Sequence, residues 1–256
     1  MQKYIRQNEI NSHVNAFENL LKFGRANDKL KKLEKRLGKR LYTVSLKAGY
    51  SCPGANLCFA KYDAKRKEVI DGKGAKFRCF AASLEGVFKG FEQNNQHNFD
   101  LMLSRKTEQA MFETIVESIR ALKNPGIIRV HVSGDYFSAN YFRAWMRAAA
   151  VFPHINFYSY TKSVHILNEC SEIVPLNFSI TCSEGGKFDH MISDRFKTAK
   201  VVFSIEAAAV LGLEIDHDDY HAAIGHESFA LLLHGSQKGG TEASRAWQIN
   251  KKLKFA

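Results

Sequence analysis

The stretch "GYSCPGANLCFAKY" (49–62) places Cys52 and Cys58 in a loop with Pro53 and Gly54, and a third thiol, Cys79, follows in "KFRCFA". Structural zinc takes four ligands, commonly from C-x2–4-C knuckles. Here the cysteines are separated by five residues and then by twenty, which fits no such knuckle. Three thiolates with an open position suit a catalytic metal or an iron–sulfur cluster with one free iron. Cys182, in "TCSEGG", is a fourth candidate if the strand ends come together. The bland alternative is that each thiol packs as a small hydrophobe. Five cysteines are an odd number for a disulfide framework, and in a reducing compartment clustered cysteines point to metal or to chemistry.

Other residues could work beside them. Asp135 follows "RVHVSG", and a carboxylate after a glycine at a strand end is a candidate base, nucleophile or acceptor for a substrate amine. It could instead cap the next helix, but Ser138 is better placed for that. "FYSYTKS" offers Tyr160, Thr161 and Lys162, the lysine as base, as phosphate clamp, or merely snorkelling at a strand end. "EIDHDDYHAA" (214–223) gathers Asp216, His217, Asp218, Asp219 and His221. These are oxygen and imidazole ligands for a second divalent cation, or a polar turn whose acids cap backbone amides. "HGSQKGG" (234–240) could cradle an anion, though its order and spacing are not those of a Walker loop.

The net charge of +11 favours a polyanionic partner, DNA or RNA first and an acidic membrane surface second. Nine Lys/Arg stand against two acids between Lys22 and Arg40, so Lys31, Lys32, Lys35 and Arg36 are candidates for phosphate contact; a solvated helix face is the alternative. The opening "MQKYIRQNEINSHVNAF" has no apolar core of a signal peptide. No uncharged apolar run approaches the ~20 residues of a membrane span. Both point to the cytoplasm.

The elements that must position these residues alternate. Periodicity predicts a helix over 12–38, ending at Gly38, and a strand over 40–49 running into the cysteine loop. A polar loop or hairpin follows over 61–76, then helices over 80–97 and 107–123. "GIIRVHVSGD", "INFYSYTKS", "LNFSITCSEGG" and "AKVVFSI" read as strands, each followed by a helical stretch, the third of these being "KFDHMISDRFK"; "HESFALLLHGS" reads as a further strand. Such alternation gives a parallel α/β sheet with right-handed crossovers. A partial TIM-barrel-like sheet with helices outside is preferred to an open doubly wound one. In either, the carboxyl ends of the strands share one face, where sites form. Residues 1–40 are expected to form a basic helical arm, and 41–256 a single α/β domain of catalytic type.

Several segments, "NDKLKKL", "SLKAGYSCPGANLC", "KFRCFAAS", "RVHVSGDYFSANYFRAW", "FYSYTKS", "VVFS", "EIDHDD" and "FALLLHGSQ", resemble in order a phage family known as gene product eighty-eight. Its members come from phages and mobile elements and have no settled activity. The resemblance implies that Cys52, Cys58, Cys79, Gly134, Asp135, Tyr160, Thr161, Lys162, Asp216, His217 and Asp218 occupy pattern positions, while Cys182 stands where a small non-thiol residue is more usual. That leaves a three-thiolate set. Two remoter likenesses of layout add expectations. A three-cysteine loop between a first strand and a second ending in glycine–acid resembles radical-SAM enzymes, with a [4Fe–4S] cluster and S-adenosylmethionine, although the spacing here is not their C-x3-C-x2-C. The basic charge and Asp135 are similar to features of tRNA-guanine transglycosylase relatives that place 7-deazaguanines in phage DNA. The reading that follows is a nucleic-acid-modifying enzyme with an iron–sulfur or metal centre on Cys52, Cys58 and Cys79. Alternatives are a non-catalytic nucleic-acid binder with structural zinc, and a metal-independent transglycosylase using Asp135.

Overall fold

The computed structural model describes residues 18–253. The chain enters through a two-residue strand β1 (Gly24–Arg25) antiparallel to β2 (Leu41–Val44). Gly24 permits this approach, since a Cβ there would lie 2.7 Å from the Thr43 hydroxyl. Helix α1 (Asp28–Leu37) starts only after Asn27, whose side chain accepts from the Leu30 amide at 3.0 Å, and it ends on left-handed Gly38. The helix expected over 12–38 is therefore shorter: 24–25 is strand, and 12–17 lies outside the described residues. Nor is its described part a free arm. Leu30 and Leu33, three apart on one face, are fully buried in a core shared with Leu41, Ile127, Tyr158 and Phe229.

The hairpin β3 (Ala60–Asp63) and β4 (Glu68–Asp71) follows, then α2 (Phe80–Val87), α3 (Lys89–Ser104) and α4 (Glu108–Arg120). The single helix expected over 80–97 breaks at Phe88, which is extended. Then come β5 (Ile127–Val130), α5 (Ala139–Val151), β6 (Asn156–Thr161), α6 (Val164–Cys170), β7 (Phe178–Ser183), β8 (Thr198–Val202), α7 (Ile205–Val210), α8 (Tyr220–Ala223), β9 (Phe229–Leu232) and α9 (Glu242–Leu253). Between β7 and β8 the expected helix is only a 3₁₀ turn, Asp189–Met191. The Asp189 carboxylate accepts from the Gly185 and Gly186 amides at 2.7 and 2.8 Å, which pins the chain before a helix can grow.

The sheet runs β1-β2-β5-β6-β7-β8-β9, with every pair parallel except β1–β2. No ladder joins β1 to β9 among the described residues, so the sheet is open and the closure of a barrel is not present. Both faces are covered, as parallel sheets require. Tyr42, Val44, Ile128, Val130 and Phe157 point to α4 and α5, whose Ile115, Ile119 and Trp145 complete one core. The alternate residues face α1 and α8. No helix among the described residues is long and apolar enough to cross a membrane.

On the α1 side a buried carboxylate links four elements. Asp219, 1% exposed, accepts from Lys29 Nζ at 2.6 Å, Arg129 Nη1 at 2.5 Å, Tyr158 OH at 3.1 Å and Tyr160 OH at 3.4 Å. Burial alone would push its pKa up; the charges of Arg129 and Lys29, with hydrogen bonds from Lys29 and Tyr158, outweigh burial and hold it down to about 2. Asp219→Asn keeps the shape and tolerates the residue's left-handed backbone, but leaves Arg129 without its counter-ion. It should cost about 3–5 kcal/mol at neutral pH. Because the folded-state pKa lies below the unfolded 3.8, the wild-type advantage should be complete above pH 4 and disappear as pH falls towards 2. Denaturant melts of both proteins across that range check it; a gap unchanged at pH 2 would contradict the ion pair.

Candidate functional site

The chain leaving β2 continues beside the β5 extension, with the Leu46 amide donating to the Ser133 carbonyl at 2.8 Å, and then turns through left-handed Gly49 into the cysteine loop. The loop lies across the ends of β6 and β7. The Leu57 amide donates to the Gly185 carbonyl and the Lys187 amide to the Gly54 carbonyl, both at 2.9 Å. Gly54 is required here: a Cβ would stand 2.1 Å from the Lys162 carbonyl oxygen. Left-handed Gly134 serves the same packing, as its Cβ would meet Leu46 and Ser51 at 2.6 Å. The base of the loop is tied to α2 and α3. Buried Lys47 pairs with Glu92 and, at 3.5 Å, with Glu85, which also accepts from the Ala48 amide at 2.9 Å.

Cys79 arrives from the other side, immediately before α2. Its neighbour Arg78 forms a two-pronged bond to Asp71 at 2.6 and 2.7 Å. Gln237, in the loop after β9, accepts from the Arg78 amide at 2.7 Å and donates back to its carbonyl at 3.2 Å. The "HGSQ" segment thus clamps the third cysteine, with the Phe80 and His234 rings 4.7 Å apart.

The electrostatics bring the sequence candidates into one neighbourhood. Burial pushes the Cys52 thiol well above its ordinary value, and Asp135, Cys79 and Cys58 push it further. Burial, then Cys58, raises Cys79 to about 11, against the pull of the Ala82 and Ala81 amides and of Lys162. Charge on Cys58 disfavours ionisation of both Cys52 and Cys79, and charge on Cys79 disfavours that of Cys52. Among the described residues, no group of three or more His, Cys, Asp or Glu side chains converges so as to hold a single metal ion. Cys182, fully buried on β7, is raised to about 12 by burial, Asp135 and Asp189.

Asp135 sits where β5 and β6 end. Its Oδ1 accepts from the Tyr136 amide at 2.7 Å and the Thr161 hydroxyl at 2.6 Å, and its Oδ2 from the Lys162 amide at 2.8 Å. Burial raises its pKa while these three bonds oppose the rise. It does not cap α5; Ser138 does, accepting from the Tyr141 amide. Lys162 Nζ donates to the Ser183 hydroxyl at 2.5 Å and to the Ser183 and Glu184 carbonyls at 3.1 and 2.9 Å. Tyr160 lies elsewhere. Alternation along β6 sends Thr161 to Asp135 and Tyr160 to the opposite face, onto Asp219.

Asp216, His217 and Asp218 do not share a point. Asp216 Oδ1 accepts from the Asp218 and Asp219 amides, Asp218 pairs with Arg36 at 3.3 Å, and His217 is exposed. On α1, Lys31 pairs with Asp28 at 2.9 Å and the Arg36 guanidinium stacks on Tyr220 at 3.4 Å. Lys32 and Lys35 are exposed. The helix leads to the amino ends of the strands, where the Arg40 carbonyl meets the Gly126 and Ile127 amides. That rim is opposite the cysteines. Sequence reasoning passed over Gln237 and the Lys47–Glu85 pair; the glycine-rich context of Gln237 was the available signal.

The fold and site define a mostly parallel α/β protein with a thiol-rich rim at its strand ends. The profile of the family described as Gene product 88 matches residues 19–251, and the chain belongs to that family. Among curated relatives, the Gene 88 protein of Mycobacterium phage D29 is 28% identical over 120 residues, 44% of this chain and 43% of that protein. The Gene 88 protein of Mycobacterium phage L5 is 29% identical over 120 residues, 44% of each. The match therefore spans less than half the length of these relatives. No solved structure matches the chain.

Gly54→Ala should lift the cysteine loop off Lys162. Partial solvation of Cys52 would lower its thiol pKa, each unit giving about tenfold more thiolate at neutral pH. Iodoacetamide labelling of Cys52, followed by mass spectrometry, should accelerate by about that factor. An unchanged rate would mean that the loop is not held by this contact.

Proposed function

We propose that this chain is an enzyme acting on nucleic acid or nucleotides, with an iron–sulfur centre held by Cys52, Cys58 and Cys79 at the carboxyl end of the sheet. The observation that carries this reading is that Cys58, Cys79 and Asp135 all act on the buried Cys52 thiol, and Cys58 on the buried Cys79 thiol, at one rim. Thiols that influence each other without closing on a point suit a multi-iron cluster, whose ligands stand farther apart than those of one ion. Three ligands leave an iron open to substrate or to S-adenosylmethionine, and such a centre supplies electron transfer or Lewis acidity when bound.

The chain's own residues divide the remaining work. A carboxylate has about four acceptor sites and Asp135 uses three, so one remains for a substrate amine or hydroxyl. The same three bonds occupy most of its lone pairs, which counts against Asp135 as the nucleophile of a metal-independent transglycosylase. Lys162 is held by Ser183 and Glu184, which fixes its Nζ at the strand ends. The sequential order of the parallel strands sets all their carboxyl ends on one rim, and the substrate would approach from there. Lys31, Lys32, Lys35 and Arg36, exposed on α1, offer a second phosphate surface. The protein would work in the cytoplasm of the host.

Anaerobically purified protein should be brown, absorbing near ~400 nm, and should contain iron and acid-labile sulfide. Cys52→Ala, Cys58→Ala and Cys79→Ala should each bleach it, while Cys182→Ala should not. Colourless protein carrying one zinc would replace this reading with that of a non-catalytic nucleic-acid binder.

A further inference from the structure

The hairpin β3–β4 is the segment of chain between Cys58 and Cys79, so whatever it binds is delivered to the cysteine rim. Between Lys61 and Lys76 it carries six basic residues against three acidic ones. Lys65, Arg66, Lys67, Lys73 and Lys76 are exposed, and Arg66 makes only long contacts, 3.8 Å to Asp63 and 3.6 Å to Glu68. A cleft of about 330 Å³ opens under the hairpin tip, lined by Tyr50, Tyr62, Phe99, Lys47, Lys65 and Gln96 among others. Three aromatic rings from three separate elements, the cysteine loop, β3 and α3, meet there. Tyr50 is 47% exposed, has Lys61 Nζ 5.1 Å from its ring centre, and lies two residues from Cys52. Asp63, an acid lining the same cleft, has its Oδ1 engaged by the Lys65 and Arg66 amides at 2.9 and 3.1 Å and its Oδ2 3.8 Å from the Arg66 guanidinium.

The geometry points to a site for single-stranded nucleic acid, with one unstacked base in the Tyr50–Tyr62–Phe99 cleft and the flanking phosphates on Lys65, Arg66 and Lys67. This rests on the nucleic-acid reading above and gives it a substrate form and an entry side. Aromatic faces accept any base, and clustered cations track a backbone. A duplex keeps its bases stacked and cannot fill the cleft without extruding one. The side differs from that expected on sequence grounds. The basic residues of α1 are partly paired, whereas the hairpin cations belong to the segment of chain that joins Cys58 to Cys79.

Fluorescence anisotropy of the full chain with labelled twelve-nucleotide oligo-dT and oligo-U, and with the dT strand annealed to dA, tests this. Either single strand should bind at least about tenfold more tightly than the duplex at equal salt, and Tyr50→Ala should weaken single-strand binding by about tenfold while Tyr50→Phe restores it. Replacing Lys65, Arg66 and Lys67 together by Glu should reduce the slope of log affinity against log salt by about two. Equal binding by Tyr50→Ala and wild type, duplex bound as tightly as single strand, or no oligonucleotide bound at all would overturn the site. Absorbance of the same samples separates the two readings. Brown protein indifferent to Tyr50→Ala keeps the cluster and loses the cleft; colourless protein with Tyr50-dependent binding keeps the cleft and loses the enzyme.

Discussion

The candidate site depends on one carboxylate that joins two strand ends. Asp135, leaving β5, takes the side chain of Thr161 and the amide of Lys162 at the end of β6. That junction fixes the Lys162 carbonyl, and the cysteine loop rests on this carbonyl through Gly54. The same loop then hydrogen-bonds to the glycine pair after β7, where Asp189 holds the amides in place. A displacement at Asp135 would therefore reach Cys52 through backbone alone, with no flexible side chain to absorb it.

The molecule keeps two buried carboxylates on opposite faces of β6, and their environments drive them apart. Asp219 meets two full positive charges and two phenols, and its charge is strongly favoured. Asp135 meets only neutral donors at hydrogen-bond distance, so burial prevails and its proton affinity rises. A carboxylate with no cation in direct contact is costly for stability alone, since a neutral residue could make comparable backbone contacts. Such placement is typical of groups retained for chemistry. Asp219 is the kind retained for fixing one arrangement of α1 against the sheet.

Much of this fold was legible because strands buried on both faces read as apolar runs separated by helical periodicity. The carboxyl-end rule then gathered Cys52, Asp135, Lys162 and Ser183 from distant segments. What was not legible lay in local competition. Residues 187–197 have helical composition, but one side chain, Asp189, captures two amides and stops the helix. In "DHDD" the acids are indistinguishable by type, yet Asp216 is buried on the Asp218 and Asp219 amides, Asp218 reaches Arg36, and the left-handed backbone at Asp219 turns that one onto Arg129. Tyr160 and Thr161 are neighbours in sequence and opposites in space, a difference that depends on which face each side chain takes. The basic run before Gly38 read as an arm because its charges hide the buried pair Leu30 and Leu33.

The placement of charge follows from the same topology. A parallel pair such as β2–β5 needs a long crossover, and here that crossover holds all three cysteines, the basic hairpin and α2–α4. Because the hairpin begins and ends beside thiols, its cations cannot move away from the rim without dragging Cys58 or Cys79. The Arg78–Asp71 bond and the Gln237 clamp fix its second strand to the residue before Cys79. A polyanion held by the hairpin is thus held at a set distance from the thiols. Positive charge on α1 lies outside that crossover, with Lys29 bonded to Asp219 and Arg36 to Asp218, and is not tied through the chain to the thiols in this way.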